Sequence, residues 1–317
     1  MARACITSIT TWSARVALAG ALGLTAACGD DGTAGSGEAG TDPSSGSGPG
    51  GSSDTIAPAA DSSTTAAVQL PEGCDLYVEP SDDDQTAVQE ALIDVQSGQT
   101  VCLAAGQFSF TRQLSLDAND VTVRGQGGEE TILDFSEQIS GGNGLLVTGD
   151  DVTLEEFRVQ ETPGDGIRAD NVENIAFIGV HVIWGTPESL DNGAYGFYPV
   201  QSNGVVIRDC LAQGSRDAGI YVGQSTNILV EDSEARGNVA GIEIENSTDS
   251  VVRGNWAHDN TAGLLVFNLP GLDIGDGKRA NVYDNIVEDN NVPNFGEPGT
   301  IVELVPPGLG VLVLASD

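Results

Sequence analysis

The sequence predicts an all-β solenoid, in which short parallel strands stack into coils of about 22 residues. A glycine followed by an apolar residue recurs along the chain, and columns of amide, apolar and alanine residues keep the same phase. Each repeat holds two or three short β-branched runs separated by Gly, Asn, Asp and Ser, a pattern typical of strands and turns. One such repeat cannot close a core of its own, so the repeats must stack.

The glycine column sets the register of the repeat, and its members are Gly144, Gly166, Gly196, Gly219, Gly241, Gly263 and Gly310. The intervals are 22, 30, 23, 22, 22 and 47 residues. We expect an insertion within the interval of 30, and two coils with a few extra residues within the interval of 47. The alanine column, sixteen residues after the glycine, contains Ala212, Ala235 and Ala257.

Two polar columns predict turns between the strands. Five residues after the glycine stands an amide that we expect to stack into a ladder: Asn171, Gln201, Gln224, Asn246 and Asn268. Cys210, Ser233 and Asn255 each follow their glycine by fourteen residues. This second column favours a structural position for Cys210 over a nucleophile.

Residues 1–28 predict an export signal. Arg3 and Arg15 accompany the apolar run "VALAGALGLTAA", which is too short to span a bilayer. The junction "LTAAC" resembles a bacterial lipobox, which implies that Cys28 is lipidated. The protein would then be anchored to a bacterial membrane, in the periplasm or at the cell surface. Plain secretion stays open, because Thr25 stands where leucine is more usual.

Residues 29–72 predict a disordered linker of Gly, Ser, Thr, Ala and Asp, because such a composition cannot bury enough apolar surface to offset its conformational entropy. Residues 73–317 are enough for one large domain. In an exported protein Cys74 and Cys102, which flank the first ordered segment, are expected to form a disulfide.

The formal net charge of −35 limits the possible partners. Nucleic acid is excluded, because its binding relies on Lys and Arg at the phosphates. An acidic glycan would be repelled unless calcium or a local basic group intervened, whereas an acidic surface can also serve solubility alone. The segment "GLDIGDGK", with Asp273 and Asp276, is a candidate calcium loop, although a turn explains it equally well.

From residue 84 to 317 the chain resembles the right-handed parallel β-helix family that contains pectate-lyase-like proteins and alginate C5-epimerases. The segment "DDDQTAVQEALIDVQSGQTVCLAAGQFSF" places Val88, Leu92 and Val95 on one helical side, and the resemblance implies that this helix caps the solenoid. The final "GVLVLASD" has the pattern of the first strand of a further coil. We expect the sequence to be truncated, or another chain to cover this end.

In each strand that follows a glycine of the column, side chains alternate, so the first residue should point into the core and the second and fourth should point outwards. Across successive coils these outward residues should form two rows. The first row is Leu146, Arg168, Tyr198, Tyr221, Glu243 and Leu265, and the second is Thr148, Asp170, Val200, Gly223, Glu245 and Phe267. Exposed Tyr198 and Tyr221 would suit sugar faces, and Arg168 would suit a carboxylate. Glu243 and Glu245 would move protons or hold calcium, unless these side chains merely decorate a stable sheet.

The stretch "YGFYPVQ" from Tyr195 resembles the epimerase and lyase motif Y-G-F-D-P-H-E, whose tyrosine, aspartate and histidine serve proton transfer at the sugar C5. Tyr195 matches as the candidate catalytic residue, but Tyr198 and Val200 stand at the aspartate and histidine positions. The sequence therefore predicts a surface protein that binds an acidic or neutral polysaccharide without the usual catalytic pair. The alternatives are a uronate epimerase or lyase with relocated catalysts, using Arg168, Tyr198 or Glu243, and a structural or adhesion module.

Two irregular stretches, "IWGTPESLDNG" and "VPNFGEPG", are expected to rise beside the outward rows and shape a binding face. Trp184 would be either a substrate wall or a buried anchor. His181 and His258 fall in the third strand of their coils, so we expect exposed surface positions for both.

Overall fold

The computed structural model of the protein describes residues 70–316, and the candidate signal, Cys28 and most of the candidate linker lie outside this range. These residues form three parallel sheets, A, B and C, and each coil of the chain passes through sheet C, then sheet A, then sheet B. No helix within residues 70–316 is long and apolar enough to cross a membrane. The predicted all-β parallel solenoid is confirmed.

Each sheet takes one strand from each coil. Sheet A contains β1 (Leu76–Val78), β2 (Thr100–Leu103), β5 (Val121–Arg124), β8 (Val152–Glu155), β11 (Glu173–Ile178), β14 (Asn203–Arg208), β17 (Thr226–Glu231), β20 (Thr248–Arg253) and β23 (Lys278–Tyr283). Sheet B contains β3 (Gly106–Ser109), β6 (Thr131–Asp134), β9 (Arg158–Gln160), β12 (His181–Ile183), β15 (Leu211–Gln213), β18 (Glu234–Arg236), β21 (Trp256–His258) and β24 (Ile286–Glu288). Sheet C contains β4 (Arg112–Leu116), β7 (Ser140–Val147), β10 (Asp165–Asp170), β13 (Phe197–Val200), β16 (Ala218–Gly223), β19 (Ala240–Glu245), β22 (Ala262–Phe267) and β25 (Leu309–Leu314).

The core lies inside the coils and follows the predicted alternation. The residues that follow the glycines are fully buried: Ile167, Phe197, Ile220, Ile242 and Leu264. Except at Gly310, the glycines are needed because a neighbouring coil leaves no room for a side chain. At Gly241, for example, a Cβ would lie 2.6 Å from the carbonyl oxygen of Gly263.

The corners between sheets are held by hydrogen-bonded polar ladders, but not by the amide column that the sequence suggested. Asn171, Gln201, Gln224 and Asn246 have φ between 46° and 55°, so they form left-handed turns, which amides such as Asn tolerate. One ladder confirms the second predicted polar column and extends it: Cys210, Ser233, Asn255 and Asn285. Two further ladders were not predicted: Ser202, Ser225 and Ser247, and Ser215, Asn238, Asn260 and Asn290. Burial raises the pKa of the Cys210 thiol to about 12, which suits a structural role.

The expectation of two coils within the 47-residue interval is wrong. Strand β25 pairs directly with β22, with Val311 opposite Leu264, so the interval is one coil. Its extra residues form two insertions, at 268–277 and 289–308. The glycine spacing cannot distinguish an added coil from added loops.

The N-terminal end is capped as expected by helix α1 (Asp84–Asp94). Val88, Leu92 and the adjoining Val95 are buried against the first coil. The side chain of Asp83 begins the helix by accepting a 3.2 Å hydrogen bond from the amide of Thr86. This helix removes the open end of the core from water.

The disulfide expected from the sequence joins Cys74 to Cys102, across 28 residues of chain that include α1. We predict that replacing both cysteines with serine lowers the free energy of unfolding by about 3–4 kcal/mol, because the unfolded chain regains its loop entropy. Urea unfolding with and without reductant measures the effect. Reductant should destabilise the wild type and leave the double variant unchanged; equal sensitivity of both would contradict the prediction.

Candidate functional site

The candidate site lies on the outer face of sheet C, where the first predicted row is in register. Arg168 stands opposite Tyr198, and Tyr221 stands opposite Glu243, with Phe197 and Ile220 aligning the strands between them. We call the row of Arg168, Tyr198, Tyr221 and Glu243 the sheet C strip. Parallel pairing without a shift places its members about 4.8 Å apart.

The expected exposure of the whole row is wrong. Arg168 and Tyr198 are partly exposed, whereas Tyr221, Glu243 and Glu245 retain only 5%, 5% and 8% of their accessible surface. The strip therefore has an open half towards the N-terminus and a covered half towards the C-terminus.

The covered half lies beneath residues 291–305 of the second insertion, which we call the cover. Val302 and Val305 of the cover are buried in an apolar cluster with Tyr221 and Leu265. Glu297 forms an ion pair with Arg216, at the edge of sheet C. The stretch "VPNFGEPG" thus lies over the strip rather than beside it.

Three tyrosines form one cluster at the boundary between the two halves. The ring centroid of Tyr195 lies 4.6 Å from that of Tyr198 and 4.8 Å from that of Tyr221. The guanidinium carbon of Arg168 lies 4.8 Å from the centroid of the Tyr198 ring. Asp170 holds Arg168 in place through a 2.8 Å ion pair. Phenol groups and one cation thus meet on a partly open surface.

Four carboxyl groups surround this cluster, and each has a raised pKa. Burial raises the pKa of Asp165 to about 6 and that of Asp217 to about 7. Burial also raises the pKa of Glu243 well above its usual range, and the carboxyl groups of Asp217 and Glu245 raise it further. Burial raises the pKa of Glu245 too, although a 2.9 Å hydrogen bond that it accepts from Tyr221 opposes the rise. At neutral pH a pKa of about 7 leaves Asp217 partly protonated, whereas a pKa of about 6 leaves Asp165 mostly ionised.

A cavity of about 40 Å³, enough for a few water molecules, separates the carboxyl groups from the cover. Tyr195, Asp217, Glu243 and Glu245 line one side, and Val302 belongs to the other. Burial raises the pKa of Tyr195 well above its usual range, so this phenol is a proton donor rather than a ready base. Asp217 is better suited to accept or deliver a proton near pH 7.

Sequence reasoning missed Asp165 and Asp217. They precede Gly166 and Gly219 by one and two residues, and Asp165 is the first residue of β10 whereas Asp217 directly precedes β16. Their offsets differ, because the corner loops before the two strands differ, so no regular column marked them. Only their proximity to the glycine column could have signalled them.

The remaining predicted residues have structural settings. Trp184 is a buried anchor whose indole N–H donates a 2.7 Å hydrogen bond to the carbonyl of Thr162. His258 is buried, contrary to expectation, because it stacks on Trp256 and contacts Glu234. His181 is only partly exposed.

Residues 70–316 contain no group of three or more His, Cys, Asp or Glu side chains arranged to hold a metal ion. In the candidate calcium loop Asp276 pairs with Lys278 at 2.6 Å. This pairing favours the turn interpretation of the segment.

The family description "Right handed beta helix region" matches residues 143–305, which include the whole sheet C strip and the cover. The chain belongs to the right-handed β-helix family. The match fixes the handedness of the coils seen in the three sheets. No curated protein sequence matches this β-helix chain.

Several solved structures resemble this β-helix. The A-module of mannuronan C-5 epimerase AlgE4 from Azotobacter vinelandii is 17% identical, covering 67% of this chain and 74% of that chain, with a TM-score of 0.44. The pre-mature gene product 12 of bacteriophage phi29 is 12% identical, covering 75% and 40%, with a TM-score of 0.53. The catalytic domain of a GH87 α-1,3-glucanase is 16% identical, covering 68% and 46%, with a TM-score of 0.44. At these identities the likeness shows the fold alone.

Proposed function

We propose that this β-helix protein is exported, anchored to the membrane through a lipid on Cys28, and binds a polysaccharide along the open half of the sheet C strip. The observation that carries the proposal is the partly exposed pair of Arg168 and Tyr198, which lies beside Tyr195 and two carboxyl groups of raised pKa. Aromatic faces, a guanidinium and carboxyl groups together suit the ring faces and polar groups of sugars.

The open half is long enough for a short stretch of polymer. Ser115, Leu146, Arg168 and Tyr198 stand opposite one another on four successive coils. Three steps between coils span roughly 14 Å, about the length of three sugar rings. All four side chains are partly exposed.

Arg168 can bind a ligand while it keeps its ion pair with Asp170. Its Nε and Nη2 donate to the same oxygen of Asp170, at 3.2 and 2.8 Å, and within the described residues its Nη1 makes no hydrogen bond. A uronate carboxylate or a sugar hydroxyl can use this remaining donor. The cation also offsets the repulsion that a chain of net charge −35 exerts on an acidic glycan.

A glycan array tests the proposal with the wild type and the variants Arg168→Ala, Tyr198→Ala and Arg208→Ala. Arg208 is a matched control, because it is also paired with a carboxylate but lies on sheet A. We expect one class of polysaccharide to bind, with affinity falling at least about tenfold for the two strip variants and staying unchanged for the control. An array without hits would favour the structural or adhesion function instead.

A uronate C5-epimerase or lyase is the second candidate, favoured by Asp217 beside Tyr195. Burial raises the pKa of Asp217 to about 7, while a hydrogen bond from Tyr195 opposes that rise. Asp217 could therefore remove the sugar C5 proton, with Arg168 at the uronate carboxylate. Tyr195, on the same side as Asp217, could protonate the leaving oxygen of a lyase, whereas an epimerase would need another donor on the opposite face of C5. Because the cover lies over the cavity beside Asp217, it would have to move for a polymer to reach this carboxyl.

Incubation of polymannuronate and polygalacturonate in heavy water tests this chemistry. Deuterium at C5 identifies an epimerase, and unsaturated ends that absorb ultraviolet light identify a lyase. Asp217→Asn and Tyr195→Phe should each lower the rate by about 10²–10⁴, and Asp191→Asn, an exposed control, should not. Polysaccharide binding without either product would leave binding as the function.

A further inference from the structure

A second groove runs along the outer face of sheet B, away from the sheet C strip. His181, Leu211, Glu234 and Trp256 stand opposite one another on four successive coils and line its floor. Asp209 and Asp232, which are exposed at the corner between sheets A and B, form its rim. The groove has a volume of about 390 Å³, within the usual range of ligand sites.

Trp256 provides an aromatic platform in this groove. Its side chain keeps 42% of its accessible surface, whereas Trp184, the other tryptophan of the described range, keeps 2%. One face of the indole stacks on His258, with ring centroids 3.8 Å apart and an angle of 23° between the planes. His258 is itself held by Glu234 and Asp259, at 3.1 and 2.7 Å. The indole is therefore fixed before any ligand arrives.

Hydrogen-bond acceptors stand next to the platform. Glu234, which lies opposite Trp256, uses Oε1 for Arg236 and His258, and its Oε2 accepts no hydrogen bond within residues 70–316. Asp209 and Asp232 form no ion pair in the same range. A carboxylate beside an aromatic ring suits a sugar, whose ring face stacks while its hydroxyl groups donate.

We propose that the sheet B groove is a second saccharide site, which binds about three rings of a neutral oligosaccharide with one ring stacked on Trp256. Three coil steps give the groove a length of roughly 14 Å, which sets the number of rings. The free carboxylates repel uronates, so the ligand class differs from the acidic sugars that Arg168 can accept on sheet C. The proposal holds whether or not the sheet C strip binds a glycan.

Isothermal titration calorimetry with neutral hexasaccharides tests the site, using cello-, xylo-, laminari- and maltohexaose, with hexagalacturonate and a glucosamine hexamer for comparison. We expect a neutral hexasaccharide to bind, and Trp256→Ala to weaken it at least about tenfold. Tyr283→Ala removes an equally exposed aromatic from sheet A and should change the affinity less than twofold.

Oxidation with N-bromosuccinimide gives a second readout in the wild-type protein. The bound hexasaccharide should protect Trp256, as measured by mass spectrometry of its peptide. Thermal melting shows whether Trp256→Ala remains folded. If the variant does not fold, protection of Trp256 from oxidation in the wild-type protein decides whether the site exists. The site would be disproved by no binding of any neutral hexasaccharide, by binding of the glucosamine hexamer alone, or by binding that leaves Trp256 unprotected.

Discussion

Replacing Asn260 with alanine is expected to lower the free energy of unfolding by about 4 kcal/mol. Asn260 is fully buried at the corner between sheets B and C. Its Oδ1 accepts from the amide and the side chain of Asn238, and its Nδ2 donates to Ala235 and Asn290. Alanine leaves several of these partners buried without a hydrogen bond, and each such loss costs about 1–3 kcal/mol.

Urea unfolding followed by circular dichroism measures this loss. Asn203→Ala is the matched control, because Asn203 also bonds an asparagine of a neighbouring coil, at 2.7 Å, but does so on the exposed surface. The control should lose less than about 1 kcal/mol, since water replaces its partner. Equal losses in the two variants would mean that the buried ladder adds little to stability.

Replacing Glu243 with glutamine is expected to stabilise the protein at pH 8 and to weaken its dependence on pH. Burial raises the pKa of Glu243 well above its usual range, so the folded protein keeps a proton that the unfolded chain releases. Stability then falls as the pH rises above about 4.5, by up to 1.4 kcal/mol per pH unit for this group. Asp217 acts in the same direction, over a window that ends near its pKa of about 7.

Measuring the free energy of unfolding at pH 5, 6, 7 and 8 tests whether stability falls as the pH rises. The wild type should lose stability across the series, and Glu243→Gln should lose distinctly less. Glu137→Gln, which changes an exposed glutamate, should follow the wild type. If the curves of the wild type and Glu243→Gln run parallel, Glu243 is not protonated in the folded protein.

The coils could be predicted from sequence because each one must meet the same steric demand. A residue such as Gly241 faces the carbonyl of the next coil, so the demand recurs at fixed spacing and leaves a visible column. The register of Arg168 with Tyr198 followed from the same columns. The ladder of Asn238 and Asn260 keeps this spacing too and could have been found.

The cover could not be predicted, because it does not repeat. Its position depends on contacts between distant segments, such as Val302 with the cluster around Tyr221, and these contacts leave no period in the sequence. The predicted exposure of Tyr221 and Glu243 was therefore wrong, although their predicted alignment on adjacent coils was right. Asp217 was missed for the same reason, since its raised pKa comes from its surroundings rather than from a motif.

The corner between sheets B and C accommodates stretches of very different length. It holds three residues between β18 and β19, thirteen between β12 and β13, and twenty between β24 and β25, while the strands on either side stay in register. Lengthening a surface loop adds little entropic cost, so this corner can accept a foreign loop without refolding the solenoid. Grafting there would change which polymers reach the tyrosines, and it offers evolution or a designer a modular route to new specificity.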